Sequence, residues 1–147
     1  MSAGYNQDPE KELENQALND SNHSSAPSIC VLGLGYIGLP TASLLATRGF
    51  QVHGVDVDPE VIQTINRGEI HIVEPELDAL VRSAVFSQRL HAATKPAAAD
   101  VFIIAVPTPF CDGKKPDLTY VERATRSVAA VLEPGNLVIL ESTVPVG

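Results

Sequence analysis

From Ser28 onward, short apolar and β-branched runs alternate with stretches whose apolar residues recur every three or four positions. The first pattern suits strands and the second suits amphipathic helices. Ile29 to Leu32 reads as a strand. Tyr36 to Arg48 reads as a helix, closed by Gly49 where a left-handed cap is wanted. Gln51 to Val55 predicts a second strand. Asp58 then offers an N-cap and Pro59 a first helical residue, for a helix through Ile65 that ends at Gly68. "EIHIVEPELDALVRSAV" predicts a short extended piece and a helix starting near Pro75, and "RLHAAT" a third strand. "DVFIIAV" is a continuous apolar run bounded by turn residues, as in a parallel strand covered on both faces. Thr119 to Leu132 predicts a helix with Val121, Ala124, Val128 and Val131 on one stripe, and "NLVIL" a fifth strand. Strands alternating with helices imply an α/β fold: a doubly wound parallel sheet with right-handed crossovers.

The first 27 residues follow neither pattern. Met1 to Pro27 is rich in Asn, Ser, Asp and Glu, with five acids (Asp8, Glu10, Glu12, Glu14, Asp20) against Lys11. That is −4 of the chain's −8, leaving −4 for the rest. Such a segment buries too little apolar surface to offset its ordering entropy, so residues 1–27 are expected to form a disordered acidic leader ahead of a domain over 28–147.

Composition narrows the function classes. At 147 residues and 44% hydrophobic, the chain can bury one core of ordinary domain size. A net charge of −8 argues against nucleic acid, whose phosphates need a basic surface. No run approaches the ~18 apolar residues of a membrane span. The start of the chain has no apolar signal-peptide core. A cytoplasmic protein is the expectation. Cys30 and Cys111 lie far apart and match no metal-ligand spacing, so neither a disulfide framework nor a metal site is expected.

Candidate chemistry begins at Gly33-Leu34-Gly35-Tyr36-Ile37-Gly38, a G-x-G-x-x-G motif between a predicted strand and a predicted helix. Glycines at this spacing also arise by chance, or shape a turn that holds nothing. Here a second strand ending in an acid completes the dinucleotide-binding context. Gly33 would allow the tight turn, Gly35 would let a pyrophosphate approach the backbone, and Gly38 would let helix and strand pack closely. The phosphates would then lie over the helix N-terminus, and Pro40 fits there because the first helical N–H groups have no internal partner. Asp56 follows the second strand, 18 residues after Gly38. Its carboxylate can accept both hydroxyls of an adenosine ribose and would repel the 2′-phosphate of NADP, which points to NAD. The alternative is that Asp56 only begins a turn, although Asp58 already supplies the helix cap.

The fourth strand ends "AVPTPF", so Val106 to Phe110 should run beside the cofactor, and Thr108 could offer it a hydroxyl. Pro107 and Pro109 could equally serve only to stiffen that loop. "ESTVPVG" occupies the matching place one strand further on. His53, His71 and His91 read as structural, Lys114-Lys115 as a solvated loop, and Cys30 as buried and inert. Cys111 has no evident base beside it and reads as an incidental loop cysteine.

The stretches "GLGYIGLP", "GVDVD", "INRGEIHIVEPEL", "IAVPTPF", "PDLTYVE" and "ESTVPVG" resemble, in order, the N-terminal NAD-binding domain of the UDP-glucose/GDP-mannose dehydrogenase family. They span almost all of Ile29 to Gly147. "GEIHIVEP" with "AVPTPF" is most similar to the UDP-N-acetyl-D-mannosamine dehydrogenase branch, whose product feeds polysaccharide biosynthesis. The resemblance implies a Rossmann fold truncated after about the fifth strand, with Tyr36, Ile37, Asp56 and Thr108 joining the glycine loop as NAD-contacting positions. It also implies oxidation of a UDP-sugar C6 alcohol to a carboxylate in two hydride transfers, using two NAD. The cysteine that would hold the aldehyde stage, and most of the sugar site, would lie beyond Gly147, so this chain has no catalytic residue of its own and is expected to be inactive alone. The longer enzyme would be a homo-oligomer. A UDP-glucose 6-dehydrogenase fragment, or a stand-alone dinucleotide-binding module without catalysis, are the alternatives.

Overall fold

Five short strands, β1 (Ile29–Leu32), β2 (Val52–Val55), β3 (Leu90–Ala93), β4 (Val101–Ile104) and β5 (Leu137–Leu140), make one parallel sheet in the order β3-β2-β1-β4-β5. The computed structural model describes residues 26–109 and 116–141. The leader therefore lies almost wholly outside the described residues, as do Cys111, Lys114, Lys115 and most of "ESTVPVG".

All four residues of β1 are buried, and β1 pairs with β2 on one side and β4 on the other, Ile29 lying opposite both Val52 and Val101. Alternation then assigns the two faces. Val31, Val52, Leu90, Ala92 and Ile103 point toward helices α1 (Gly38–Thr47), α2 (Pro59–Asn66) and α3 (Leu77–Phe86). Cys30, Leu32, Phe102 and Ile104 point to the other face, where α4 (Thr119–Ala129) contributes Ala124 and Val128. Strand order runs outward in opposite directions from β1 and β4. The crevice at the carboxyl ends of these two strands is thus the switch point where such sheets place ligands.

Most element boundaries fall within two or three residues of expectation. Asp58 caps α2, its side chain accepting the Glu60 N–H at 2.9 Å, with Pro59 in the first turn. Gly49 and Gly68 take positive φ just past α1 and α2. The short piece expected ahead of α3, Glu69 to Val73, is a loop that bends at His71 and Ile72 and buries Ile72 in the core. One expectation shifts. Helix α1 starts at Gly38 rather than Tyr36, because Tyr36 and Ile37 are spent in the turn.

The sheet's two edges differ. On β3, the Asn66 side chain takes the place of a further strand: its Nδ2 donates to Ala92 O at 2.8 Å and its Oδ1 accepts from Ala92 N at 2.9 Å. On β5 all four side chains are 40–54% exposed. At the amino ends of the strands, Ser28 N–H and Oγ both donate to Asp100 Oδ2, at 2.7 and 2.8 Å. These bonds hold the Asp100 carboxyl below its ordinary range. Among the described residues, no helix is long and apolar enough to cross a membrane.

Candidate functional site

The turn from β1 into α1 is built from glycines that do three different things. Gly33 has φ +89°, and a side chain there would also meet Ala105 O at 2.8 Å and Val106 Cα at 3.0 Å. The turn is therefore seated directly on the end of β4. Gly33 N–H donates to Val55 O and Ala105 N–H to Leu32 O, both at 2.8 Å, so β1, β2 and β4 jointly fix it. A methyl on Gly38 would run into the Gly33 carbonyl oxygen, which is the close helix–strand approach expected of the third glycine. Gly35 differs from both. A methyl there would have no neighbour within 4 Å, so its bare backbone faces open space.

That open space lies at the start of α1. The helix has no side-chain N-cap bond and no acid in its first turn, so nothing on the helix offsets the positive end of its dipole. Tyr36 and Ile37, 63% and 51% exposed, form the rim.

Asp56, half-buried just beyond β2, turns its carboxylate toward this turn. Oδ2 accepts the Leu34 N–H at 2.9 Å, and Oδ1 accepts the Asp58 N–H at 3.1 Å. One hydrogen bond on each oxygen holds the group in place and leaves lone pairs for further donors. Val57 and Asp58 follow it, so no base stands next to it in sequence. Thr108 is half-buried between the exposed Pro107 and Pro109, on the segment that continues β4 past Ala105 and Val106. The structure thus brings Gly33, Gly35, Gly38 and Asp56 into one hydrogen-bonded turn, with Tyr36 and Ile37 at its rim and Thr108 on the adjoining strand end.

Sequence reading missed Leu34 and Gly54. Leu34, an unassigned "x" of the motif, is fully buried and packs over Gly54 in the middle of β2. The signal was present, since a glycine inside a strand marks a close approach. The reading also kept the histidines apart, whereas register puts His53 beside His91, ring centroids 6.2 Å apart. His53 Nε2 lies 2.9 Å from Lys95 O, and His91 is exposed. No group of three metal-ligating side chains occurs among the described residues. Cys30 is buried in β1, and burial pushes its thiol up to about 11, away from any nucleophilic role.

The family model for the NAD binding domain of the UDP-glucose/GDP-mannose dehydrogenase family matches residues 27–147. The chain belongs to this family. Among family relatives, an NDP-N-acetyl-D-galactosaminuronic acid dehydrogenase of Ralstonia nicotianae is 60% identical over 120 residues, 82% of this chain and 28% of its own length. A UDP-N-acetyl-D-mannosamine dehydrogenase of Escherichia coli is 58% identical over 123 residues, 84% of this chain and 29% of its own length. The structure of a UDP-N-acetyl-mannosamine dehydrogenase from Staphylococcus aureus matches with a TM-score of 0.78 at 43% identity, over 80% of this chain and 29% of that one. The chain thus spans less than a third of the curated relatives it matches. The family's domain binds NAD, and the donor set of the turn suits that group: bare backbone at Gly35, an uncapped helix start, and a fixed carboxylate at Asp56.

Proposed function

We propose that this chain is the NAD-holding part of a nucleotide-sugar 6-dehydrogenase. The carrying observation is the open space at Gly35 beside an uncapped helix start, with the Asp56 carboxylate held by the same turn. Gly33, Gly35 and Gly38 would shape the pyrophosphate seat, and the α1 N–H groups would face its charge. Asp56 would take the adenosine ribose hydroxyls on its remaining lone pairs and disfavour a 2′-phosphate, so NAD is preferred over NADP. Tyr36, Ile37 and Thr108 would line the approach. When bound, NAD supplies the hydride acceptor for alcohol oxidation. This chain's residues bind and orient it.

For the substrate we propose UDP-N-acetyl-D-mannosamine, oxidised at C6 to UDP-N-acetyl-D-mannosaminuronate with two NAD. Support comes from the resemblance of "GEIHIVEP" and "AVPTPF" and from the name carried by the E. coli relative. The Ralstonia relative carries a different sugar in its name at similar identity, so what this stretch shares with both is cofactor handling. A cytoplasmic, homo-oligomeric enzyme used in polysaccharide biosynthesis goes with this reading.

Calorimetric titration of the chain with NAD and NADP tests it. NAD should bind more tightly, and Asp56→Ala should weaken NAD by about 1–3 kcal/mol, the scale of charge-assisted hydrogen bonds, and narrow the preference. An unchanged preference would remove Asp56 from the ribose role, and no NAD binding by the parent chain would overturn the reading.

A further inference from the structure

Gly54 is not required by backbone conformation, since it is absent from the positive-φ positions and sits mid-strand, in register with Val31 on one side and Ala92 on the other. A glycine there weakens a strand, so something else must account for it. The space above it is filled. A methyl at Gly54 would stand 3.0 and 3.1 Å from the two δ-carbons of Leu34. Leu34 belongs to the glycine turn, is fully buried, and donates its own N–H to Asp56 Oδ2 at 2.9 Å. Residue 54 thus sets how deep Leu34 sits, and Leu34 sets where its N–H meets the carboxylate of Asp56, just past the end of β2.

We infer that Gly54 and Leu34 are positioning residues that aim the Asp56 carboxylate, and through it set the discrimination between NAD and NADP. The inference rests on the ribose role proposed for Asp56. Its physical content is a short lever. The leucine side chain is a peg in a hole that only a glycine leaves open. When the peg lifts by a few tenths of an ångström, the Leu34 N–H lifts with it. The carboxylate then loses one of its two anchoring bonds and can rotate away from an incoming 2′-phosphate.

The test uses the full chain, ¹⁵N-labelled, with two readouts: calorimetric affinity for NAD and for NADP, and the Leu34 amide proton shift as Asp56 is protonated. Gly54→Ala should move the Leu34 amide upfield and flatten its response to acid. It should also narrow the NAD-to-NADP affinity ratio by about tenfold, the effect of losing one charge-assisted hydrogen bond. Adding Leu34→Val, which shortens the peg, should restore both, which a general loss of stability would not do. A folded Gly54→Ala protein with both readouts unchanged overturns the inference, and so does a double variant that recovers neither. Should Gly54→Ala fail to fold, Leu34→Ala removes the peg instead: with nothing seating the turn, the residue 34 amide should lose its response to acid and the affinity ratio should narrow, and a folded variant with both unchanged overturns the inference. A parent chain that binds neither cofactor sinks the ribose reading, and the aiming of Asp56 is then decided by the amide shift alone.

Discussion

At the scale of single residues, the three motif glycines differ in what an added side chain would meet. Gly38→Ala forces a methyl onto a backbone oxygen, which cannot swing aside as a side chain can. We expect a loss of about 1–3 kcal/mol, as for overpacked sites, measured by urea unfolding. Gly35→Ala meets nothing, so its unfolding curve should stay within about 0.5 kcal/mol of the parent while NAD binding falls. Equal destabilisation by the two would mean that Gly35 does not face a ligand. The spacing of these glycines, and the turn and packing roles of Gly33 and Gly38, were legible in sequence, but the wall that Gly33 leans on was not, because Ala105 and Val106 lie far along the chain. Cys30 carries a further prediction. Burial raises its thiol from an ordinary 9.0 to about 11, against a weaker lowering by the Ala97 backbone. Between these values the unfolded chain binds fewer protons than the folded one, so stability falls as pH rises from about 9 to about 11. Unfolding curves in a Cys111→Ser background should show that decline, and Cys30→Ala should flatten it.

At the scale of elements, signals that are local in sequence gave reliable boundaries. Asp58, Pro59 and Gly68 fix both ends of α2 through bonds and φ angles that involve only near neighbours. The stretch "EIHIVEPEL" carries no such local signal: it leads from α2 into α3 without entering the sheet, and its Ile72 is buried in the core cluster that also holds residues of α1, α2 and α3. Edge protection was not legible either, since the Asn66–Ala92 pairing joins residues from separate elements. That pairing blocks β3, whereas Leu137, Val138, Ile139 and Leu140 stand half exposed on β5. We expect the chain to self-associate as its concentration rises, and Ile139→Lys, a charge on the apolar edge strand, to suppress this. Sedimentation velocity at increasing concentration checks it, and a monomer throughout would contradict it.

At the scale of the whole molecule, the described residues hold the glycine turn with the Asp56 carboxylate, and Cys30 is the cysteine among them. Cys30 is buried, and Cys111 lies outside the described residues. Relatives of known name are more than three times the matched length. On the proposed reading, in which this chain's residues bind and orient NAD, we expect NAD binding without turnover. Incubation with NAD and UDP-N-acetylmannosamine should give no rise in NADH absorbance, with or without Cys111→Ser. Steady NADH formation abolished by that substitution would put the nucleophile in this chain. The parallel α/β order was legible because strand patterns alternate with helical ones and "DVFIIAV" is a continuous apolar run, as in a strand covered on both faces. The sugar was not, since relatives with different sugars in their names share this stretch almost equally.

The seating of Gly33 against Ala105 and Val106 has a consequence for the order of folding. The β1–α1 turn is local in sequence, yet the wall it leans on arrives only when β4 pairs with β1, and parallel strands cannot meet through a hairpin. Such distant pairings form slowly because the intervening chain must first be closed into a loop. A peptide covering Ile29 to Arg48 would thus carry the whole glycine motif and still lack the turn. Any ligand that recognises this turn recognises only chains whose sheet has already assembled. Its binding energy would then add to the stability of the entire sheet, by an amount that grows with the logarithm of its concentration above the dissociation constant.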